Sequence, residues 1–290
     1  MQTHAPPREL PFGLAEPRAF GGLTIVPLFP HAEPQVDYIG LDEASSRGFT
    51  VTEVDEDGVV EALRVHNPLG ERVLLYEGEE LVGAKQNRIV TWTALVEAGS
   101  KIGLPVHCVE HGRWSRPTAD FSPSPNVAYP ELRAARHRGG GQAQVWASVA
   151  AKAGRLDAHS PTGAQDAIYR DRRPVLDSYL QQLPRLDGQS GALIGIAGEI
   201  VCLDYVSRPD VFAGLYAKLL RGYALDAMER PEHRPLRQAA VQRFLGRIDR
   251  AAVQLVDPVG VGTSARYAGE VRGMELSAYG ELITMTVFRA

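Results

Sequence analysis

Between Leu23 and Glu110 the apolar residues come in short runs that turn residues keep interrupting. The runs LTIVPLF, FTVTEV, ALRVHN, RVLLYEG, NRIVTWTALV and KIGLPVHCVE are separated by Gly, Asp-Gly or Asn-Pro punctuation. Short stretches rich in Val, Ile and Thr between turn dipeptides read as antiparallel strands. The clearest hairpin is VDEDGVVEALRV, with Asp57 and Gly58 at its tip. The first 110 residues are therefore expected to be β-rich.

The texture changes twice afterwards. Residues 115–141 carry four prolines and a triple glycine, and read as a long connection with one short helix. QAQVWASVAAKAG and RRPVLDSYLQQLP read as helices, the first with a stripe of Trp146, Val149, Ala150 and Ala153. The second shows the row Val175, Leu176, Tyr179, Leu180 and Leu183. ALIGIAGEIVCLDYV is a hairpin turning at Ala197 and Gly198. A long helix follows, with Phe212, Leu215, Tyr216, Leu219, Leu220 and Tyr223 in register and Ser207 as its expected N-cap. A helix from about Leu236, with the row Leu236, Ala240, Phe244 and Ile248, precedes the closing strands ARYAGEVRGMEL and ELITMTVFRA.

The fold class this predicts is α+β: a β-rich N-terminal half, a helical middle, and a C-terminal hairpin, two helices and strands. Residues 1–20, rich in Pro and without period, are expected to be a flexible arm. Residues 21–290 are expected to form one domain, with a β-rich lobe (21–114), a connection with helices (115–185) and an α+β lobe (186–290).

Composition narrows the partners. A net charge of −4 argues against affinity built on neutralising an extended nucleic acid. No apolar run reaches the roughly 18 residues that span a bilayer. The opening MQTHAPPRELPFG lacks a secretory apolar segment. Two cysteines, Cys108 and Cys202, cannot make a disulfide framework or a zinc cluster alone. Together these point to a cytoplasmic location with no membrane partner.

Chemistry concentrates in two strings. GEELVGAKQNRIV packs Glu79, Glu80, Lys85, Gln86, Asn87 and Arg88 between apolar strands. CVEHGRW adds Glu110, Arg113 and Trp114. Arginine forks grip oxyanions, an indole stacks on a base, and a carboxylate accepts ribose hydroxyls or acts as a general base. A solvated turn in a hairpin would have much the same composition. His107, Glu110 and His111 are the residue types of a cupin-like metal site, but strand alternation sends Glu110 to the opposite face. ELRAARHRGGG, with Arg133, Arg136, His137 and Arg138, reads as a solvated helix end or an anion patch. VGVGTSARY lacks the spacing of either phosphate-loop fingerprint.

These same strings carry a resemblance. YEGEELVGAKQNRIV through KIGLPVHCVEHGRW, with ALIGIAGEIVCLDYVSRPDVFAGLYAKLLRGYALDA, resembles a prokaryotic family named for its association with ADP-ribosylglycohydrolase and rhodanese-phosphatase proteins. The resemblance spans about residues 20–290. It implies work near ADP-ribose or NAD-derived nucleotides, by genomic company alone. The expected function is thus a small-molecule site for a phosphate-bearing, ADP-ribose- or NAD-related ligand. Glu79 and Glu80 are the catalytic candidates there, and Lys85, Gln86, Asn87, Arg88, Glu110, Arg113 and Trp114 the binding residues. No metal and no cofactor are expected. Whether the chain is an enzyme, and whether it forms homo-oligomers, stays open at this point. So do two other readings, a structural or interaction module and a cupin-like metalloenzyme.

Overall fold

Turn chemistry sets where the strands reverse. Ala197 and Gly198 both hold positive φ (49° and 79°), the geometry of a tight two-residue hairpin, and they join β13 (Gly191–Ile196) to β14 (Glu199–Val206) as expected. Residues 9–114, 118 and 120–290 are described in the computed structural model of the chain. The chain begins with β1 (Phe12–Leu14), β2 (Arg18–Phe20), β3 (Leu23–Pro30), β4 (Ile39–Gly40) and the short helix α1 (Leu41–Ser46). Then come β5 (Thr50–Glu53), β6 (Ala62–His66), β7 (Val73–Leu75), β8 (Glu79–Gly83), β9 (Arg88–Val90), β10 (Ala94–Val96), β11 (Lys101–Cys108) and β12 (Asp120–Val127). The helical middle is α2 (Pro130–His137), α3 (Gln142–Arg155) and α4 (Gln165–Gln182). After the β13–β14 hairpin follow α5 (Pro209–Met228), α6 (Gln238–Arg250), β15 (Ala252–Val256), β16 (Val259–Gly260), β17 (Thr263–Ala268), β18 (Val271–Ala278) and β19 (Glu281–Arg289).

The α+β class holds, and the strands sort into three assemblies. Strands β11, β6, β5, β12, β8 and β9 close into a barrel. A nine-stranded sheet runs β1-β3-β13-β14-β19-β18-β17-β15, with β2 also on β3. A smaller sheet, β16-β10-β7-β4, lies beside the barrel. Barrel-facing side chains such as Val51, Leu63, Val65, Leu81, Val90, Leu104, Val106 and Phe121 form one apolar core. Residues on the outer faces of the same strands, Ile89 and Val127 among them, join a second core with α2–α5 and the large sheet.

Several expectations need correction. Phe12–Leu14 and Arg18–Phe20 pair with β3, so paired strands lie inside the expected arm; residues 1–8 lie outside the described residues. The expected connection 115–141 contains a barrel strand, β12, which tolerates Pro123 and Pro125 because its pairing with β8 shifts register between Pro123 and Val127. The lobe boundaries at 114 and 186 do not follow the sheets: β3 pairs with β13, β12 closes the barrel, and β16 pairs with β10. Helix α4 starts at Gln165, with Pro174 inside it and Val175 exposed. On α3 the buried residues are Val145, Val149 and Lys152, and Trp146 turns aside onto the His111 ring. Leu236 precedes α6, whose buried row is Val241, Phe244 and Ile248. Arg208, not Ser207, is the N-cap of α5; the Ser207 hydroxyl is engaged with Tyr38 at 2.8 Å.

Helix α5 buries its aromatic and leucine stripe in the core that holds Ile194 and Cys202 of the hairpin, as expected, and also meets α4 there. Leu219 is 1% exposed. Its replacement by Ala is expected to cost about 2–5 kcal/mol, the range for buried leucines. Urea denaturation measures it, and a loss under about 0.5 kcal/mol would contradict this packing.

Candidate functional site

The β8–β9 turn and the end of β11 meet at one mouth of the barrel. Cys108 and Leu81 flank Arg88 in register, so Arg88 shares the inward face with Leu81 and Val90. Beyond β11 the chain folds Arg113 back over the β8–β9 turn. Its Nη1 donates to the Ala84 carbonyl (2.7 Å) and its Nη2 to Asn87 Oδ1 (3.0 Å). Nε and Nη2 also reach Glu110 Oε2, at 2.9 and 2.7 Å. Glu110 further accepts from the Asn87 backbone N–H (3.1 Å) and the Thr162 hydroxyl (2.8 Å). Burial alone would raise the Glu110 carboxyl, but Arg113 and these two donors outweigh it and hold it below the usual range. The two polar strings therefore do form one assembly, and much of it is satisfied internally.

Arg88 is the exception. It is 0% exposed, and among the described residues its guanidinium makes one hydrogen bond, Nη1 to Gln86 Oε1 at 2.9 Å. Gln86 Oε1 also accepts from the Cys108 thiol at 3.0 Å. Among the described residues, Arg88 Nε and Nη2 are buried without any hydrogen-bond partner. A buried unpaired donor costs about 1–3 kcal/mol, more when charged. Over this guanidinium lies the Trp114 indole, 50% exposed, with its ring centre 5.8 Å from Arg88 Cζ and 5.2 Å from Lys85 Nζ. Lys85 is tethered to the Glu56 carbonyl at 2.6 Å and to that of Asp57.

Glu79 and Glu80 are not part of this mouth, which corrects the expectation of a single site. Glu79 accepts from the Tyr76 N–H (2.8 Å) and pairs with Lys218 of α5 (3.1 Å). Glu80 is opposite Ile89 in register and so faces outward from the barrel, away from Arg88. There it accepts from Ser124 at 3.2 Å, and Oε1 has no hydrogen-bond partner among the described residues. Burial, with the charge of Asp166 added, raises its carboxyl to about 8. Facing away from Arg88, it is not placed to act as general base on a ligand at the mouth.

The three metal-type residues diverge as well. β11 ends at Cys108, so alternation no longer separates them; their partners do. His107 meets Thr91 and Arg136, Glu110 meets Arg113, and the His111 ring packs on Trp146 at 4.3 Å. Elsewhere Glu131, Asp226 and Glu229 gather carboxylate oxygens within 4.8 Å. The buried Lys152 ammonium pairs with all three, at 3.0, 2.8 and 2.6 Å.

Sequence reasoning missed the role of α2. Arg133, read as part of a solvated helix end, is buried against Asp204 (2.6 Å) and Glu77 (3.3 Å). Arg136 and His137 are also drawn inward. The available signal was Leu132 and Ala135 beside Arg133 and Arg136, an apolar stripe too short to orient the helix.

A closed antiparallel barrel packed through helices onto a nine-stranded sheet, with a buried guanidinium at the barrel mouth, defines the class: an α+β protein with an internal polar site. The chain belongs to the ARG and Rhodanese-Phosphatase-superfamily-associated Protein domain family, ARPP-1, which it matches over residues 12–288. No curated protein and no solved structure matches it. Among the described residues, no helix is long and apolar enough to cross a membrane.

Proposed function

We propose that the barrel mouth binds a small phosphate-bearing molecule of the ADP-ribose or NAD kind. One observation carries this reading: Arg88 is wholly buried with two guanidinium donors unpaired, beneath a half-exposed indole. A phosphate oxygen would satisfy those donors, since an arginine fork matches oxyanion geometry. Trp114 would swing aside to admit it and stack on the base. Lys85 and Gln86 border the same space, while Glu110, Asn87 and Arg113 hold the frame rigid. The family's association with ADP-ribosylglycohydrolases is consistent with such a ligand. The reading is of binding, with no reaction attached.

Thermal unfolding of wild type and Arg88→Met with ADP-ribose, NAD and AMP tests it. Ligand at 100 times its Kd adds about 2.7 kcal/mol, which for a chain of this size is a rise of roughly 4–5 °C. We expect that rise in wild type and its loss in Arg88→Met. The variant alone should melt at or above wild type, because an uncompensated buried charge has gone. If none of the three nucleotides moves the wild-type midpoint, the reading fails for this ligand class.

A further inference from the structure

A second cluster of cations lies on the outer side of the barrel wall, where α2 crosses toward β17. Trp92, between β9 and β10, is half-buried, and two arginines from distant parts of the chain meet its ring. Arg136 Cζ of α2 is 4.9 Å from the indole centre, and Arg266 Cζ of β17 is 5.0 Å from it. Arginine stacking on an indole is favourable for one cation. Bringing two to one ring sets like charges side by side, which disfavours both.

Neither charge is met by a carboxylate bond among the described residues. Arg136, 7% exposed, spends Nη1 on His107 Nδ1 at 3.0 Å. To accept it, His107 must be a neutral imidazole; burial and the neighbouring Arg136 hold His107 down to about 4. The Thr91 hydroxyl touches the same nitrogen at 2.9 Å. The nearby carboxylate, Glu77, is engaged by His137 at 3.0 Å and by Arg133 at 3.3 Å. Among the described residues, Arg136 Nε, Arg266 Nε and His137 Nδ1 are all buried without a hydrogen-bond partner. Burial, with Arg266 adding to it, brings Arg136 down to about 10. Two stacked guanidiniums with buried, unspent donors lack one thing, an oxyanion.

We propose that Arg136, Arg266 and Trp92 form a second binding site, for a phosphate group, separate from the barrel mouth. His107 and Arg88 come from neighbouring strands, but His107 faces outward and Arg88 inward, so the two sites are divided by the barrel wall. A tetrahedral oxyanion takes the free guanidinium edges while the indole holds the two planes in place. The ligand is either free phosphate or the terminal phosphomonoester of a larger molecule.

Isothermal titration of the full chain in low-salt buffer with inorganic phosphate, and separately with AMP, tests the site. Sodium chloride at matched ionic strength serves as the control. Wild type should bind phosphate, and Arg136→Gln and Arg266→Gln should each bind at least tenfold more weakly. Repeating the titration in the Arg88→Met background, where the mouth cannot grip phosphate, should show the same dependence on Arg266, which separates this site from the proposed function. Competition between AMP and phosphate, lost in Arg266→Gln, would assign the site to a phosphomonoester. Phosphate binding without AMP competition would assign it to the free anion. Arg266 is only half-buried, so its variant decides the matter if Arg136→Gln does not fold. Absence of phosphate binding by wild type, or binding unchanged in Arg266→Gln, overturns the proposal.

Discussion

Replacing Asp204 by Ala is expected to destabilise the chain by about 3–5 kcal/mol, the cost of leaving a buried ion pair without one partner. Asp204 is 0% exposed on β14 and gathers donors from four other parts of the fold. Tyr76 ahead of β8 donates at 2.7 Å, Tyr223 of α5 at 2.6 Å, and Thr286 of β19 at 3.2 Å. Arg133 of α2 donates twice, at 2.6 and 3.0 Å. Burial would push the Asp204 carboxyl up; Arg133 and the tyrosine hydroxyls outweigh that and hold it down. Removing the carboxylate strands a guanidinium and two phenols in the space between barrel, helices and sheet. For a chain of this size the loss lowers Tm by roughly 5–8 °C. The double variant Asp204→Leu with Arg133→Met should recover part of it, since the guanidinium is no longer stranded and the buried Glu77 keeps His137 as its partner at 3.0 Å. A single-variant cost below about 1 kcal/mol in urea denaturation would contradict this account.

Glu80→Gln should act in the opposite direction, and only as the pH rises. The folded chain holds the Glu80 carboxyl at about 8, whereas an unfolded glutamate titrates near 4.3. Below about pH 4 both states carry the proton, and the residue contributes nothing to pH dependence. Between the two values the unfolded chain loses the proton and the folded chain keeps it, so stability falls by up to about 1.4 kcal/mol per pH unit. Above about 8 the loss is complete, on the order of several kcal/mol. A glutamine has nothing to titrate. The advantage of Glu80→Gln over wild type should therefore be smallest at pH 4.5 and largest at pH 9. Denaturation midpoints at pH 4.5, 7 and 9 give the comparison; a difference constant across the three would mean that Glu80 is ionised in the fold.

The strand cadence after Leu23 and the Ala197–Gly198 turn were legible because both are local: period and turn chemistry act over a few residues. The closure of the barrel was not. Its last strand runs through Pro123 and Pro125, which read as connection because proline removes a ladder donor; the shifted register that accommodates them depends on β8, some forty residues earlier in the chain. The candidate site divides the same way. Gln86, Asn87, Arg88, Glu110, Arg113 and Trp114 came together because a short turn and a strand end sit on adjacent barrel strands. Glu80 did not, since it points to the outer face of its strand and only register tells which face is the mouth, and Glu79 did not because it starts β8, where the Tyr76 N–H and Lys218 hold it. The arginines of α2 looked solvated because each partner, Glu77, Trp92, Asp204 and Arg266, is supplied by a remote segment.

The position of β3 bears on the order in which the chain assembles on the ribosome. The barrel strands all fall between Thr50 and Val127, so the barrel has its full complement of strands before the helical middle is made. β3, synthesised earlier, has β1 and β2 for one edge, but its other edge waits for β13. At bacterial-to-eukaryotic translation rates that wait is on the order of 10 s. Through it LTIVPLFP, an apolar strand of high β-propensity, is held with one side unpaired beside a finished barrel. Nascent-chain quality therefore depends on the earliest long strand among the described residues, whose second neighbour, β13, begins only at Gly191.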